Sequence, residues 1–217
     1  NEYIDNSITK LNIYSYQIQA ITLDGAGPTA TTDRLVMGPA LTVPYRCNFA
    51  TDDQFALWNV IDANNDEYTW KRETTLAAAY YYYNEDGETG GDDWLVSSPI
   101  HLEKDKIYRL KFKLQSYDVG YPEKVAVHLG TGASVAEQTT LLGDYEIESN
   151  TFVEYKVILP EKLESGNYHI SFHCHSEPYM FILYVTDVLL EEVSEGVLSG
   201  VVTNGQTPLE GVEVNIK

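Results

Sequence analysis

The chain has 217 residues, of which 43% are hydrophobic and 22% charged, so it can bury a core and does not have the composition of a disordered protein. Asp and Glu total 33 against 14 Lys and Arg, which gives a formal net charge of −19. Nucleic acids and anionic membranes bind basic surfaces, so this charge argues against both as partners. It is compatible with divalent cations, basic proteins or simple solubility. No apolar run is long enough to span a bilayer, and no membrane insertion is expected.

The first segment, residues 1–42, contains two strand patterns. Apolar and polar residues alternate through 14–21, which predicts a strand with one buried face, and a second strand is expected at 34–37. Two strands alone are marginal in water. With Leu11 and Tyr14, this stretch resembles the tyrosine-corner region of a fibronectin type III sandwich. The resemblance implies that residues 1–42 are the C-terminal part of such a sandwich.

The central segment, residues 43–194, is the only one long enough for a complete domain. Period-two alternation recurs at 108–114, 125–129 and 153–159, and turn residues separate the patterns. This predicts an all-β protein, a jelly-roll β-sandwich with partial β-sandwich segments at both ends. The best helical candidate is 74–79, although the tyrosines after it favour a strand. Cys47 and Cys174 share strand faces with apolar neighbours, so both are expected in the core, and geometry decides whether they pair.

The motifs of the central segment follow the order of a known family. Trp58 precedes an acidic loop, Asp-Asp-Trp-Leu-Val-Ser-Ser-Pro-Ile occupies 92–100, and a last strand at 181–191 carries Asp187. This order resembles the cleaved-adhesin family, also called choice-of-anchor J, whose jelly roll is similar to the MAM domain. The resemblance implies a secreted or cell-surface, non-catalytic module that binds a host or matrix protein or a glycan. It also implies that calcium stabilises the fold.

The last segment, residues 195–217, contains Gly200, the Asn204-Gly205 turn and Pro208. It is similar to the opening strands of the small sandwich called carboxypeptidase regulatory-like. Both ends therefore resemble pieces of neighbouring domains of a larger parent chain. The alternative is that the end strands extend the central domain.

Calcium is the ligand that the acidic residues favour, because it takes six to eight oxygen ligands. Asp62, Asn64 and Asp66 alternate as in the first half of an EF-hand loop, but Glu67 stands where that loop needs glycine. Family members tend to have glycines here, and their absence argues against a tight turn. A looser site is predicted, and the alternative is a set of solvated turns and caps. The predicted ligands are Asp62, Asn64, Asp66, Asp93 and Asp187.

Histidines and tyrosines offer two further candidate sites. His169, His173 and His175 share one strand face and could bind zinc. Three residues of one strand rarely complete the tetrahedral geometry of zinc, so a neighbouring strand, such as that of His128, must supply another donor. A solvated or stacked face is therefore favoured. Alternation places one pair of the four consecutive tyrosines on each strand face, and one pair is expected to be exposed. The predicted ligand-binding platform, for a glycan or a protein, is Tyr80, Tyr81, Tyr82 and Tyr83. The alternative is half-buried strand surface.

Catalysis has little support in this sequence. There is no Gly-x-Ser-x-Gly elbow, no His-Glu-x-x-His and no phosphate loop, and carboxylates are too abundant to single out a glycosidase pair. The predicted function is a non-catalytic extracellular adhesin or accessory binding module of a larger secreted or surface protein. The alternatives are a carbohydrate-binding accessory domain of a secreted hydrolase and a purely structural spacer.

Overall fold

The computed structural model describes residues 4–32, 34–82 and 89–193, together with short strands within 203–205 and 207–208. These residues form one short helix, α1 (Asp52–Ala56), and a 3-10 turn at Val135–Glu137. In chain order the strands are β1 (Asn12–Tyr14), β2 (Gln17–Thr22), β3 (Gly25–Thr31), β4 (Leu35–Met37), β5 (Tyr45–Cys47), β6 (Asn59–Asp62), β7 (Lys71–Glu73), β8 (Ala78–Tyr82), β9 (Asp93–Val96), β10 (Ile100–Leu102), β11 (Ile107–Ser116), β12 (Glu123–Gly130), β13 (Thr140–Ile147), β14 (Val153–Ile158), β15 (Gly166–Cys174), β16 (Ile182–Val193), β17 (Thr203–Asn204) and β18 (Thr207–Pro208).

Two six-stranded sheets form a sandwich. Sheet I has the order β13-β12-β15-β9-β6, and β10 also pairs with β15. Sheet II has the order β14-β11-β16-β8-β7, and β5 also pairs with β16. Neighbouring strands in both sheets are antiparallel, and apart from the consecutive pairs β7–β8 and β12–β13 they come from distant parts of the chain, as in a jelly roll. The predicted all-β fold class is confirmed.

The core lies between the two sheets and follows the predicted alternation. Leu110, Phe112 and Leu114 of β11 are fully buried, and the residues between them face outward. The ring of Phe112 lies 5.3 Å from that of Phe172, which belongs to sheet I, so aromatic packing joins the sheets. Each such side chain contributes about 1.5–3 kcal/mol of hydrophobic stabilisation. Cys47 and Cys174 are buried as predicted, and both are free thiols.

The helix predicted at 74–79 is wrong. Residues 74–77 form a turn between β7 and β8, and Ala77 adopts a left-handed φ of 47°. Strand β8 pairs with β7 and β16, so sheet pairing overrides the local helical preference of the alanines. An α-helix forms earlier in the chain instead, at α1, where the Thr51 hydroxyl accepts a hydrogen bond from the backbone N–H of Gln54.

None of the helices in the described residues is long and apolar enough to cross a lipid bilayer.

The N-terminal segment forms two small sheets, β1 with β4 and β2 with β3, instead of only two strands. The buried face predicted for 14–21 is not present on β2, whose residues are all exposed, with Ile21 at 73%. The Tyr14 hydroxyl donates a hydrogen bond to the carbonyl of Lys10, four residues upstream, at 2.9 Å. A tyrosine corner makes a bond of this kind, and the fibronectin-like segment stays a prediction. The division into domains stays a prediction.

Candidate calcium corner and binding surfaces

The acidic loop lies at one end of sheet I, where β6 ends at Asp62 and β9 begins at Asp93. These two residues are directly opposite each other in the antiparallel pair, so their side chains share a face. Two hydrogen bonds close the site: the Ala63 backbone N–H donates to the carbonyl of Asp92 at 3.0 Å, and the Asn64 side-chain amide Nδ2 donates to the carbonyl of Gly90 at 3.0 Å. We call this site the β6–β9 corner, and its members are Asp62, Asn64, Asp66, Thr69 and Asp93.

The loop of the corner folds around the carboxylate of Asp62. Its Oδ1 accepts a hydrogen bond from the Asp66 N–H at 3.2 Å, and its Oδ2 accepts one from the Glu67 N–H at 2.9 Å. Asn65 and Glu67 adopt left-handed φ values of 58° and 70°. A tight turn therefore forms without glycines, contrary to the expectation from their absence. The Cβ crowds the backbone in this conformation, and asparagine tolerates it because its short polar side chain can hydrogen-bond locally, which glutamate does less well.

Replacing Glu67 by glycine is expected to stabilise the protein by about 0.5–1 kcal/mol, because glycine has no Cβ at this positive φ. Glu67 is exposed, and its bond to Asp62 uses only the backbone N–H, so that contact remains. Urea unfolding measures the change. Glu67→Ala is the matched control, since it removes the carboxylate but keeps the Cβ, and it is expected to stay close to wild type. Equal stabilisation by both variants contradicts the conformational explanation.

Three buried oxygen atoms of the corner have no hydrogen-bond partner: Asn64 Oδ1, Thr69 Oγ1 and Asp93 Oδ1. An unpaired buried polar atom costs about 1–3 kcal/mol, so such atoms call for an unseen partner. Carboxylate, amide and hydroxyl oxygens are hard donors, which calcium prefers. Among the described residues, no three His, Cys, Asp or Glu side chains are arranged to hold a metal ion. The fit of the corner to calcium therefore rests on its mixed set of oxygens.

The electrostatics of the corner favour a cation. Asp93 is fully buried, and this burial raises the pKa of its carboxyl to about 7. The nearby Thr69 hydroxyl and the Asp92 N–H lower that pKa again, while the carboxylates of Asp62 and Asp66 raise it. Thr69 lies beside Asp93 without meeting hydrogen-bond geometry. A bound cation removes the repulsion and stabilises the ionised form of Asp93.

Asp187, predicted as a fifth calcium ligand, is not part of this corner. It lies on β16 in sheet II, and its carboxylate forms an ion pair with Lys113 Nζ at 2.8 Å. The sequence prediction included it as an oxygen donor near a strand end. Strand order, which the motif does not reveal, places it on the other sheet.

The three described tyrosines of this run, Tyr80, Tyr81 and Tyr82, alternate between the two faces of β8 as predicted, but they do not form the predicted ligand-binding platform. Tyr81 is 1% exposed and packs in the core, 6.3 Å from the ring of Trp70, so it presents no face to a ligand. Tyr80 and Tyr82 lie on the outer face of sheet II and are half-buried. Tyr83 lies outside the described residues.

An exposed aromatic cluster lies at the end of the sandwich where β8 and β11 end and β12 and β16 begin. Phe181 is at its centre, with ring distances of 4.7 Å to Tyr117, 5.6 Å to Tyr82 and 6.1 Å to Tyr121. Tyr117 is 53% exposed and Tyr121 is 47% exposed. We call these four residues the aromatic end. Of these four residues only Tyr82 was predicted as a ligand-binding residue, because strand order brings the members together.

A buried carboxylate holds the aromatic end in place. Glu123 Oε1 accepts a hydrogen bond from the Phe181 N–H at 2.6 Å, and Oε2 accepts one from Ser176 Oγ at 2.5 Å. Burial raises the pKa of the Glu123 carboxyl to about 7, although these two donors lower it. Glu123 begins β12, so this contact ties the loop before β16 to sheet I. The exposed rings therefore stand on a fixed backbone.

The histidines lie on the outer face of sheet I, as predicted, and form a stacked surface. His173 stacks on Trp94 with ring centroids 4.0 Å apart and an interplanar angle of 8°. Its Nε2 lies 2.8 Å from Asp92 Oδ1, and His175 Nε2 lies 2.8 Å from an oxygen of Asp144. His128 is further from His173, at 6.4 Å between rings. The favoured stacked face describes this surface better than a zinc site.

Comparisons with known proteins support the fold. No protein-family model and no curated protein matches the sequence. Among solved structures, the chain is similar to the K1 cleaved adhesin domain of Lys-gingipain from Porphyromonas gingivalis, with 19% identity over 70% of this chain and 99% of that domain and a TM-score of 0.58.

Two further domains of Lys-gingipain are similar to this chain. The K3 cleaved adhesin domain from Porphyromonas gingivalis gives 19% identity, 68% and 96% coverage and a TM-score of 0.53. The K2 cleaved adhesin domain gives 14% identity, 68% and 99% coverage and a TM-score of 0.54. At this identity the likeness shows the fold alone, and the predicted cleaved-adhesin fold is confirmed. Nearly the whole of each adhesin domain corresponds to one part of this chain.

Proposed function

We propose that the chain is a non-catalytic binding module of an extracellular, multidomain protein, with a host or matrix protein or a glycan as its partner. The observation that supports this most directly is the aromatic end. Tyr117 and Tyr121 each leave about half of their surface in solvent around the ring of Phe181. Clustered exposed aromatic rings mark interaction sites, and tyrosine is enriched in interfaces.

Tyrosine suits this role because a rigid ring provides contact area while its hydroxyl remains hydrated. The anchoring of the cluster by Glu123 also favours binding, since a partner then orders few additional groups. A structural spacer is the alternative in another class, and a carbohydrate-binding accessory domain is the alternative among binding modules. A spacer predicts that no partner exists for the aromatic end.

Binding can be tested with the intact chain on arrays of extracellular-matrix proteins and of defined glycans. We expect at least one array to give a partner, and the double substitution Tyr117→Ser with Tyr121→Ser to weaken binding by about tenfold or more. Tyr179→Ser is the matched control, because Tyr179 is 55% exposed and has no ring contact within the described part of the chain. Equal binding by the double variant and the wild type contradicts the aromatic end as the contact surface, and no partner on either array favours the spacer.

We further propose that the module holds a structural calcium ion in the β6–β9 corner. Asp93 supplies a carboxylate oxygen there, Asn64 and Thr69 supply two neutral oxygens, and none of these three atoms has a hydrogen-bond partner in the described residues. The carboxylates of Asp62 and Asp66 add negative charge nearby. Calcium supplies two positive charges, which offset most of the negative charge of Asp62, Asp66 and Asp93. The residues come from β6, β9 and the loop after β6, so they tie the edge strand of sheet I to its neighbour.

Calcium binding to the folded state must raise the unfolding midpoint as its concentration increases. We expect this rise at millimolar calcium, its reversal by a chelator, and its loss in Asp62→Asn. Asp187→Asn is the matched control, since the same substitution on sheet II removes a carboxylate outside the corner. The proposal is contradicted if wild type shows no shift, or if Asp187→Asn abolishes the shift while Asp62→Asn retains it.

A further inference from the structure

A cleft of about 670 Å³ crosses the outer face of sheet II, away from the residues of the aromatic end. Its floor is Val188 and Leu189 of β16, which are nearly fully buried. Its walls are polar and carry three cations, Arg46, Lys111 and Lys113, three anions, Glu154, Asp187 and Glu191, and the amide of Gln54. A volume of this size is typical of small-molecule and oligosaccharide sites.

A β-bulge directs Asp187 into this cleft. The pairing of β11 with β16 shifts register between Lys111 and Lys113, so that β16 has one additional residue at this point. Asp187 takes a left-handed φ of 50°, and its side chain is 48% exposed, between the buried Thr186 and Val188. Bulges redirect side chains and are frequent at functional sites. A strand that kept regular alternation after the core-facing Val185 would turn residue 187 toward the core.

The charges in the cleft cancel, although the whole chain carries −19. Lys113 pairs with Asp187 at 2.8 Å, and Lys111 pairs with Glu191 at 3.0 Å. Arg46 is exposed and makes no ion pair within the described residues. The cleft thus presents N–H donors and carboxylate acceptors side by side, with no excess of either charge.

This chemistry selects one class of ligand. An apolar molecule offers no hydrogen bonds to the charged walls, a polyanion is repelled by Glu154 and Asp187, and a polycation is repelled by Arg46 and the lysines. A neutral, hydroxyl-rich molecule avoids these penalties, because each hydroxyl both donates and accepts hydrogen bonds. We infer that the cleft is a saccharide-binding site, in which Arg46, Gln54 and Lys113 donate to sugar hydroxyls and Asp187 and Glu154 accept from them.

This inference deepens the proposed binding function and rests on it, since it names a ligand class and a second surface. The cleft residues can be changed without unfolding the protein, because half-exposed ion pairs contribute little to stability. Asn is suited to position 187, since it also tolerates a left-handed φ. Unchanged unfolding midpoints of the variants establish that the fold is intact.

The probes are neutral oligosaccharides of glucose, xylose, mannose and galactose, and their uronate counterparts, titrated into the intact chain by calorimetry. We expect at least one neutral oligosaccharide to bind, and Asp187→Asn and Arg46→Gln each to weaken binding by about fivefold to tenfold. Glu164→Gln is the matched control, because it removes an exposed carboxylate that pairs with Lys104 elsewhere on the surface. It is expected to leave binding unchanged.

The outcomes separate the cleft from the general function. Saccharide binding that survives Tyr117→Ser with Tyr121→Ser but weakens in the cleft variants supports the inference. Saccharide binding with the reverse pattern, or a preference for uronates, overturns the neutral-saccharide cleft and leaves the binding module standing. If the chain binds a matrix protein but no saccharide at millimolar saccharide concentration, the neutral-saccharide cleft is also overturned and the binding module still stands. Absence of any partner of either class overturns both proposals.

Discussion

Replacing Asp93 by asparagine is expected to stabilise the calcium-free protein above pH 7 and to abolish its response to calcium. Burial raises the pKa of the Asp93 carboxyl from 3.8 to about 7, so the folded state binds this proton more tightly than the unfolded chain does. Ionising a buried carboxylate beside the carboxylates of Asp62 and Asp66 is unfavourable. Asparagine keeps the shape of the side chain and carries no charge, and its amide can donate to the nearby Thr69 hydroxyl.

The sign of the pH dependence follows from proton linkage. Between about pH 4 and pH 7 the folded state holds a proton at Asp93 that the unfolded state has lost, so calcium-free stability falls as the pH rises and is level above that range. At about 1.4 kcal/mol for each pKa unit, the loss is on the order of 2–4 kcal/mol. Calcium needs the ionised carboxylate, so its stabilising effect grows with pH over the same range.

The measurement is urea unfolding of wild type and Asp93→Asn between pH 4 and pH 8, with a chelator and with calcium. Glu123 also has a pKa raised to about 7 by burial, so wild type alone mixes two groups. The difference between wild type and variant isolates Asp93, because Glu123 is present in both. A difference that does not change with pH contradicts the buried, protonated Asp93. A variant that keeps the full calcium response contradicts its role as a ligand.

Sequence patterns predicted local structure well because period-two burial is a local property. The buried positions of β11, the core positions of Cys47 and Cys174, and the shared face of His173 and His175 follow directly from alternation. The motif order also identified the fold, which the likeness to cleaved adhesin domains confirms. These predictions need no knowledge of which strands are neighbours.

The sites depended on strand pairing, which alternation does not specify. Asp62 and Asp93 meet because β6 lies beside β9, and Asp187 is excluded because β16 belongs to sheet II. Thr69 was missed as an oxygen donor, since a single threonine in a loop has no distinctive spacing. Phe181 joins Tyr117 and Tyr121 only where three strand ends converge. Long-range pairing sets each of these contacts, and one sequence contains no direct signal for it.

Replacing Tyr81 by alanine is expected to cost about 3–5 kcal/mol of stability, the usual range for removing a large aromatic side chain from a core. Tyr81 is 1% exposed, packs against Trp70, and lies against the backbone of Gly91. The loss is a large fraction of the 5–15 kcal/mol that typically stabilises a domain. Tyr80→Ala is the matched control on the adjacent outer face, where Tyr80 is half-buried, and it is expected to cost about 1 kcal/mol.

The same substitution is expected to weaken calcium binding, although Tyr81 offers no ligand atom to the corner. Tyr81 supports Trp70, and the Trp70 Nε1–H donates to the carbonyl of Asp93 at 3.0 Å, so the cavity left by alanine loosens the position of Asp93. Urea unfolding and calcium titration of Tyr81→Ala and Tyr80→Ala measure both effects. If the two variants lose equal stability, Tyr81 is not a core residue. If Tyr81→Ala binds calcium as wild type does, the corner does not depend on the aromatic packing beneath it.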